Sequence, residues 1–286
     1  MIVFIIILLV LVLLLILALR PAPHAKEAMA PFGSWRYAHR GLYNNEAGIP
    51  ENSLAAFRLA VEGGYGIELD LHLTTDGQLV VFHDDTLDRI CGVSGRVEEH
   101  SFDELQQLSL LSTGEKIPLF TEVLKIVAGR IPLIVEVKYQ KNYAALCQKM
   151  MELLGSYSGM YCVESFHPFV VLWMKKNHPE IARGLLSSRF APQDSTTGKV
   201  SFPMWLSQEL LYNFYIQPHF IAYHHEFAPH IAGFRAARAL WHVPTVAWTV
   251  RSEQQEQTAR RLFDIVIFEK YRPLPRVDQN KESSKA

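Results

Sequence analysis

The sequence predicts an α/β fold, a TIM (β/α)8 barrel preceded by one N-terminal transmembrane helix. Three observations point there. Short apolar runs of strand character alternate with segments of helical period, which implies a parallel sheet. There are eight such runs, the number at which a sheet closes on itself. About 265 of the 286 residues follow an uninterrupted apolar opening, a length that suits one barrel. An open, doubly wound sheet is the structural alternative.

Residues Met1 to Leu19 (MIVFIIILLVLVLLLILAL) carry no polar or charged side chain. As a helix the run would be about 28 Å long, close to the hydrocarbon thickness of a bilayer. A cleaved signal peptide would show a basic start and a shorter apolar stretch, so an anchor over residues 1–20 is expected. Arg20 and Lys26 follow it, which under the positive-inside rule would hold the rest of the chain on the cytoplasmic side of a single-pass membrane protein. Residues 21–33 are rich in Pro and Ala and read as a linker to a domain spanning 34–274, with a polar tail at 275–286.

Within the domain the strand-like runs are Trp35–His39, Ile67–Leu73, Leu133–Val137, Tyr161–Ser165, Ala182–Leu186, Phe220–Tyr223, Thr245–Val250 and Ile265–Phe268. Most are continuously apolar, as strands covered on both faces must be. Between them Ser53 can cap a helix over Leu54–Val61, and Pro118 can open one over Leu119–Val127. Further helices are expected at Tyr143–Leu154, Pro168–Lys176, Met204–Leu211, Pro229–Leu240 and Ser252–Phe263. The stretch TTDGQ (74–78) is a hairpin signal through its Asp-Gly pair. Residues 85–116 then form an insertion, helical near Phe102–Leu110, on the face where barrel chemistry occurs. Phe102, Leu105 and Leu108 could give it an apolar face toward a bilayer.

Composition excludes some functions. A net charge of −1 and a pI near 6.9 provide no basic field, so no nucleic-acid partner is expected. Three cysteines, Cys91, Cys147 and Cys162, lack any CxxC spacing and outline neither a disulfide framework nor a zinc site.

Chemistry concentrates at strand ends. Glu68 and Asp70, two residues apart on one strand, share a face, and Glu136 and Lys138 repeat the spacing on the next strand. Glu68, Asp70 and Glu136 form an all-oxygen set suited to a hard divalent cation, Ca²⁺ or Mg²⁺; zinc would draw on His or Cys. Buried carboxylates without a counter-charge are costly, so a cation or base must lie near. His72 shares that face and reads as a structural hydrogen-bonding group. His39 and His83 end strand-like runs and can serve as general base and general acid. Arg40 offers a planar fork to phosphate oxygens and Lys138 a point charge. His24, His100, His178 and His230 read as exposed or structural.

AHRG (38–41), PENS (50–53), IELDLHLTTDGQLVVFHDDTLDR (67–89), IPLFTEVL (117–124), VEVK (135–138), ESFHP (164–168) and AWTV (247–250), in this order, resemble the glycerophosphodiester phosphodiesterase family. The resemblance runs from Trp35 to about Glu269. It implies that His39 and His83 are the catalytic pair and that Glu68, Asp70 and Glu136 hold the cation. Arg40 and Lys138 would meet the substrate phosphate, and Trp248 would line the cleft. Two departures stand out: Ser53 where threonine is usual, and Phe268-Glu269 where the family commonly has a small polar residue and aspartate. The implied reaction is metal-dependent hydrolysis of a small glycerophosphodiester to sn-glycerol 3-phosphate and an alcohol, with His39 as base and His83 as acid. Two other readings are a lysophospholipase D acting on lysophospholipids at the bilayer and an inactive, anchored binding module.

Overall fold

A computed structural model describes residues 1–190 and 199–273. The expected polar tail at 275–286 lies outside them. Eight parallel strands close a barrel: β1 (Arg36–His39), β2 (Gly66–Leu73), β4 (Leu133–Val137), β5 (Tyr161–Ser165), β6 (Arg183–Ser187), β7 (Phe220–His224), β8 (Thr245–Val250) and β9 (Ile265–Phe268). β1 pairs with both β9 and β2, which closes the ring and rules out the open-sheet alternative. The short β3 (Leu79–Val81) folds back antiparallel on β2 across the turn around Gly77, as the Asp-Gly pair predicts.

Helices pack outside the strands. They include α3 (Leu54–Glu62), α6 (Phe120–Val127), α7 (Tyr143–Leu154), α8 (Pro168–Asn177), α9 (Phe202–Gln208), α11 (Ala232–Trp241) and α12 (Glu253–Ala259). The Ser53 hydroxyl accepts from the Ala56 N–H at 3.1 Å, so the cap survives the departure from threonine. A short α10 (Asn213–Ile216) precedes β7. Tyr223, Phe120, Phe234 and Phe268 are fully buried in the layer between strands and helices.

The insertion carries α4 (Asp88–Cys91) and α5 (Phe102–Gln107) and has its own small core. Val80, Phe82, Leu87, Ile90, Val97, Leu105, Leu110 and Ile117 are buried together, with Phe102 and Leu108 packed against them. The apolar face foreseen for a bilayer is therefore turned inward, because the insertion needs it to fold.

The N-terminal region also departs from expectation. Helix α1 covers Ile2–Ala18, 17 residues, about 25 Å at 1.5 Å per residue and short of a hydrocarbon core of about 30 Å. No described helix is long and apolar enough to cross a membrane, which corrects the expected transmembrane span. The stretch expected as a linker instead folds as α2 (Ala25–Met29) and a 3-10 turn over Ala30–Phe32. Met29 and Phe32 are buried with Tyr37, Ile134, Cys162 and Ile265, from the early residues of the strands, and with Ala182 just before β6, and so plug the barrel's N-terminal end. The Ala22 N–H donates to the Pro218 carbonyl at 2.9 Å, just before β7 begins. The Trp241 indole, at the end of α11, donates to the Ile16 carbonyl at 2.9 Å. Helix α1 is thus rooted beside this floor, while most of its aliphatic side chains are exposed.

Candidate active site

Strand register assembles the carboxylates. Asp70 lies opposite Glu136 across β2 and β4, and Glu136 lies opposite Glu164 across β4 and β5. Side chains alternate along strands, so Glu68 and Asp70 point to the same side, into the barrel mouth. Glu68, Asp70 and Glu136 are buried, each offering an oxygen within 4.8 Å of the others. Zinc's preferred ligands are absent from the set.

Charge is unevenly balanced here. Burial, together with Asp70, Glu136 and Glu164, pushes the Glu68 carboxyl well above the usual range. Burial raises Glu136 too, with Lys138 opposing and Asp70 assisting. Burial would also raise Asp70, but Lys138, His83 and Arg40 outweigh it and hold that carboxyl far below its ordinary value. The Lys138 ammonium lies 2.7 Å from Asp70 Oδ1 and 2.7 Å from Glu136 Oε1. Arg40 Nε is 4.0 Å from Asp70 Oδ2, and its Nη1 donates to Glu51 at 2.5 Å. Carboxylates outnumber the cations that reach them, the situation a divalent cation would relieve.

The two histidines flank this cluster. His39 ends β1; its Nε2 stands 3.9 Å from Glu68 Oε2, and its Nδ1 is 2.6 Å from Glu269 Oε2. Burial, joined by the Arg40 charge, pushes the His39 imidazole down to about 4, so the ring is neutral at physiological pH. His83 follows β3. Its Nδ1 is 2.6 Å from Asp84 Oδ1. His39 thus stands beside Glu68, and His83 directly follows Phe82, whose N–H donates to the Asp70 carbonyl at 3.1 Å. His72 is buried on β2, pushed down to about 4 chiefly by burial, and belongs to neither flank. Trp248, on β8, lies across the barrel from the triad, its ring edge-on to Phe166 at 5.5 Å and to His224 at 5.2 Å.

Backbone geometry supports the cluster. Arg40 takes a left-handed conformation, φ 55°, which aims its N–H at Glu68 Oε2, 3.1 Å away. Gly41 follows at φ 81°, where a Cβ would come within 2.9 Å of the Ala56 Cβ, so the turn beneath α3 requires glycine.

Residue-level reasoning missed several supporting groups. Asn52 donates to Asp70 Oδ2 at 2.9 Å, and Glu51 joins Arg40 to Arg89, which in turn holds Asp84. Both lie in the PENS motif, so the motif was visible but its contacts were not. Glu164 is fully buried and repeats the acidic pattern one strand beyond Glu136, a signal legible only with strand register. Glu269 stood out only as a departure from the family pattern.

Paired histidines around buried carboxylates at the strand ends of a barrel are the layout of an acid–base enzyme. The sequence profile described as the glycerophosphoryl diester phosphodiesterase family matches residues 39–268, and the chain belongs to that family. Among curated relatives, a glycerophosphodiester phosphodiesterase of Caldanaerobacter subterraneus subsp. tengcongensis is 33% identical over 161 residues, 52% of this chain and 65% of the relative. Glycerophosphodiester phosphodiesterase 1 of Homo sapiens is 30% identical over 174 residues, 57% of this chain and 51% of the relative. The chain therefore spans less than two thirds of the length of either. In fold it is similar to an Oleispira antarctica phosphodiesterase solved in complex with the product sn-glycerol-3-phosphate. That similarity has a TM-score of 0.65 and 24% identity, covering 83% of this chain and 93% of that one. A glycerophosphodiester phosphodiesterase from Parabacteroides distasonis gives a TM-score of 0.60 at 25% identity, covering 82% and 92%.

Proposed function

We propose that this protein hydrolyses glycerophosphodiesters to sn-glycerol 3-phosphate and an alcohol. The observation that carries the reading is the gathering of His39 and His83 beside the buried Glu68–Asp70–Glu136 cluster at the strand ends. Family membership and the product bound by the Oleispira phosphodiesterase support the substrate class. Glu68, Asp70 and Glu136 would hold a divalent cation, Ca²⁺ or Mg²⁺; when bound, it would polarise a phosphoryl oxygen. His39, neutral and turned toward the cluster by Nε2, removes the nucleophile's proton. His83 protonates the departing alkoxide. Arg40 and Lys138 offset charge on the non-bridging oxygens. Trp248 lines the cleft on the far wall. The decisive assay is turnover of glycerophosphocholine against lysophosphatidylcholine, each with and without chelator. Chelator-sensitive release of glycerol phosphate is expected. Preference for the lysolipid would instead favour a lysophospholipase D, and inactivity on both an anchored binding module.

We also propose that α1 attaches the chain to a membrane. Its exposed side chains are apolar all round the helix, so no single protein face could cover them, whereas lipid can. Arg20 and Lys26 at its root would favour the anionic cytoplasmic leaflet, with the barrel on the cytoplasmic side. Full-length protein should stay with membranes through a high-salt wash, since hydrophobic insertion is not screened. Release by salt would refute attachment.

A further inference from the structure

We infer that Glu269 is a positioning residue for His39, fixing the ring's tautomer so that Nε2 offers a lone pair to the reacting group. The inference rests on the phosphodiesterase reading for its kinetics but not for its geometry.

β9 pairs with β1, with Phe268 opposite Ala38, so the residue that follows β9 arrives beside His39. The backbone N–H of Glu269 donates to the Val250 carbonyl at 2.9 Å, which fixes where the side chain starts. That side chain is 5% exposed, and three donors reach its two oxygens. Arg251 Nε lies 2.7 Å from Oε1, while the Tyr43 hydroxyl at 2.8 Å and His39 Nδ1 at 2.6 Å share Oε2. A buried carboxylate facing a guanidinium and a phenol is ionised, and an ionised carboxylate only accepts hydrogen bonds. The His39 nitrogen facing it must therefore carry the proton. In a neutral imidazole with hydrogen on Nδ1, Nε2 is the acceptor. That atom is the one turned toward the carboxylate cluster, 3.9 Å from Glu68 Oε2.

The consequence for the reaction balances. Nε2 takes the proton from the nucleophile's hydroxyl as oxygen bonds to phosphorus. The bond from phosphorus to the leaving oxygen breaks, and His83 supplies that oxygen with a proton. The imidazolium left on His39 then has a proton on each nitrogen, and Glu269 faces its positive charge directly. Tyr43 and Arg251 hold Glu269 from the loop after β1 and from the end of β8, so the carboxylate cannot follow the ring if the ring swings away.

The experiment uses the full chain and Glu269→Ala, Glu269→Gln and Glu269→Asp. Long-range ¹⁵N–¹H NMR, with His39 assigned by the signal lost in His39→Gln, reads the tautomer. Kinetics on glycerophosphocholine and calorimetric titration with Ca²⁺ accompany it. The Nδ1–H form is expected in the unmodified protein and mixed tautomers in Glu269→Ala. Loss of an outer partner of this kind typically costs 10- to 100-fold, here in kcat, with KM and Ca²⁺ affinity changed by less than about threefold. Glu269→Asp should restore part of kcat and of the Nδ1–H population. An Nε2–H ring in the unmodified protein would overturn the inference. So would an unchanged kcat in Glu269→Ala, or a parallel fall in kcat, Ca²⁺ affinity and thermal stability that aspartate does not rescue. If the unmodified protein turns over no diester, the phosphodiesterase reading fails while the NMR result still decides the role of Glu269.

Discussion

The Lys138 ammonium stands 2.7 Å from the Asp70 carboxylate, and at the same distance from Glu136, so one cation bridges two of the three proposed metal ligands. Burial would lower its pKa, but those two carboxylates outweigh it and keep the amine charged. A divalent cation in the triad would share these oxygens with an ammonium that repels it. Lys138→Met should therefore tighten Ca²⁺ binding measured by calorimetry. Without cation the variant should unfold at lower temperature, because the carboxylates lose their internal counter-charge. Saturating Ca²⁺ should reverse that loss by mass action. Turnover should still fall, since charge on the transferring phosphate is no longer offset. Weaker Ca²⁺ binding in the variant would show that Lys138 organises the ligands instead of competing for them.

Removing the ligands themselves should have the larger effect. Glu68→Gln, Asp70→Asn and Glu136→Gln each cut the negative charge that would hold the cation. Loss of several kcal/mol of phosphoryl stabilisation corresponds to about 10³-fold or more in kcat. Circular dichroism should show the barrel intact. Activity near that of the unmodified protein, in variants and in chelator alike, would sink the metal assignment.

The two histidines separate by leaving group. An aliphatic alkoxide needs a proton on departure and nitrophenolate does not. His83→Ala should slow glycerophosphocholine hydrolysis by about 10²–10⁴-fold and be largely spared on a nitrophenyl phosphodiester. His39→Ala should slow both alike. The opposite pattern would exchange the roles, and equal losses everywhere would exclude separate acid and base functions.

Acid stability should report on Glu51. Burial would raise its pKa, but hydrogen bonds from Arg89 and the charges of Arg40 and Arg89 bring it from 4.5 to about 2. A carboxyl depressed by folding stabilises fully above its unfolded value and loses that contribution as pH falls through the folded one. Glu51→Gln should cost roughly 3 kcal/mol at neutral pH, at the low end for a buried pair because Arg89 is half exposed. Urea titrations should show the gap to the unmodified protein narrowing between pH 4.5 and 2. A gap independent of pH would mean that shape, not charge, is what Glu51 contributes.

The floor makes a prediction about truncation. Read as a linker, residues 21–33 look dispensable, and a chain beginning at Pro31 would be expected to behave as the whole domain. Met29 is 3% exposed beneath the barrel, and losing a buried methionine side chain costs about 2–5 kcal/mol. A chain beginning at Pro31 should melt well below one beginning at Leu19. Equal melting temperatures would show that α2 only rests against the floor.

The strands were legible because burial on both faces leaves little but apolar residues, and all eight runs match their observed strands to within one residue at each end. Glu68, Asp70 and Glu136 were legible because a period of two, on strands that must be neighbours, leaves few places for carboxylates to point. What the sequence hid was contact between distant segments. Nothing near His39 announces that its Nδ1 meets a residue 230 positions away. Residues 25–32 lack an amphipathic period long enough to notice, yet the open end of a barrel gives even one short turn a core to fill. The apolar opening misled through length alone: composition suggested a span, whereas the helix is too short for one.

The root of α1 lies beside the ends where the strands begin, and His39, His83 and the carboxylates lie where the strands finish. A barrel held to lipid at its floor therefore faces its reactive opening into the water. Its encounter rate would follow the bulk concentration of a soluble diester and would not change as a lipid substrate was diluted within the plane of the membrane.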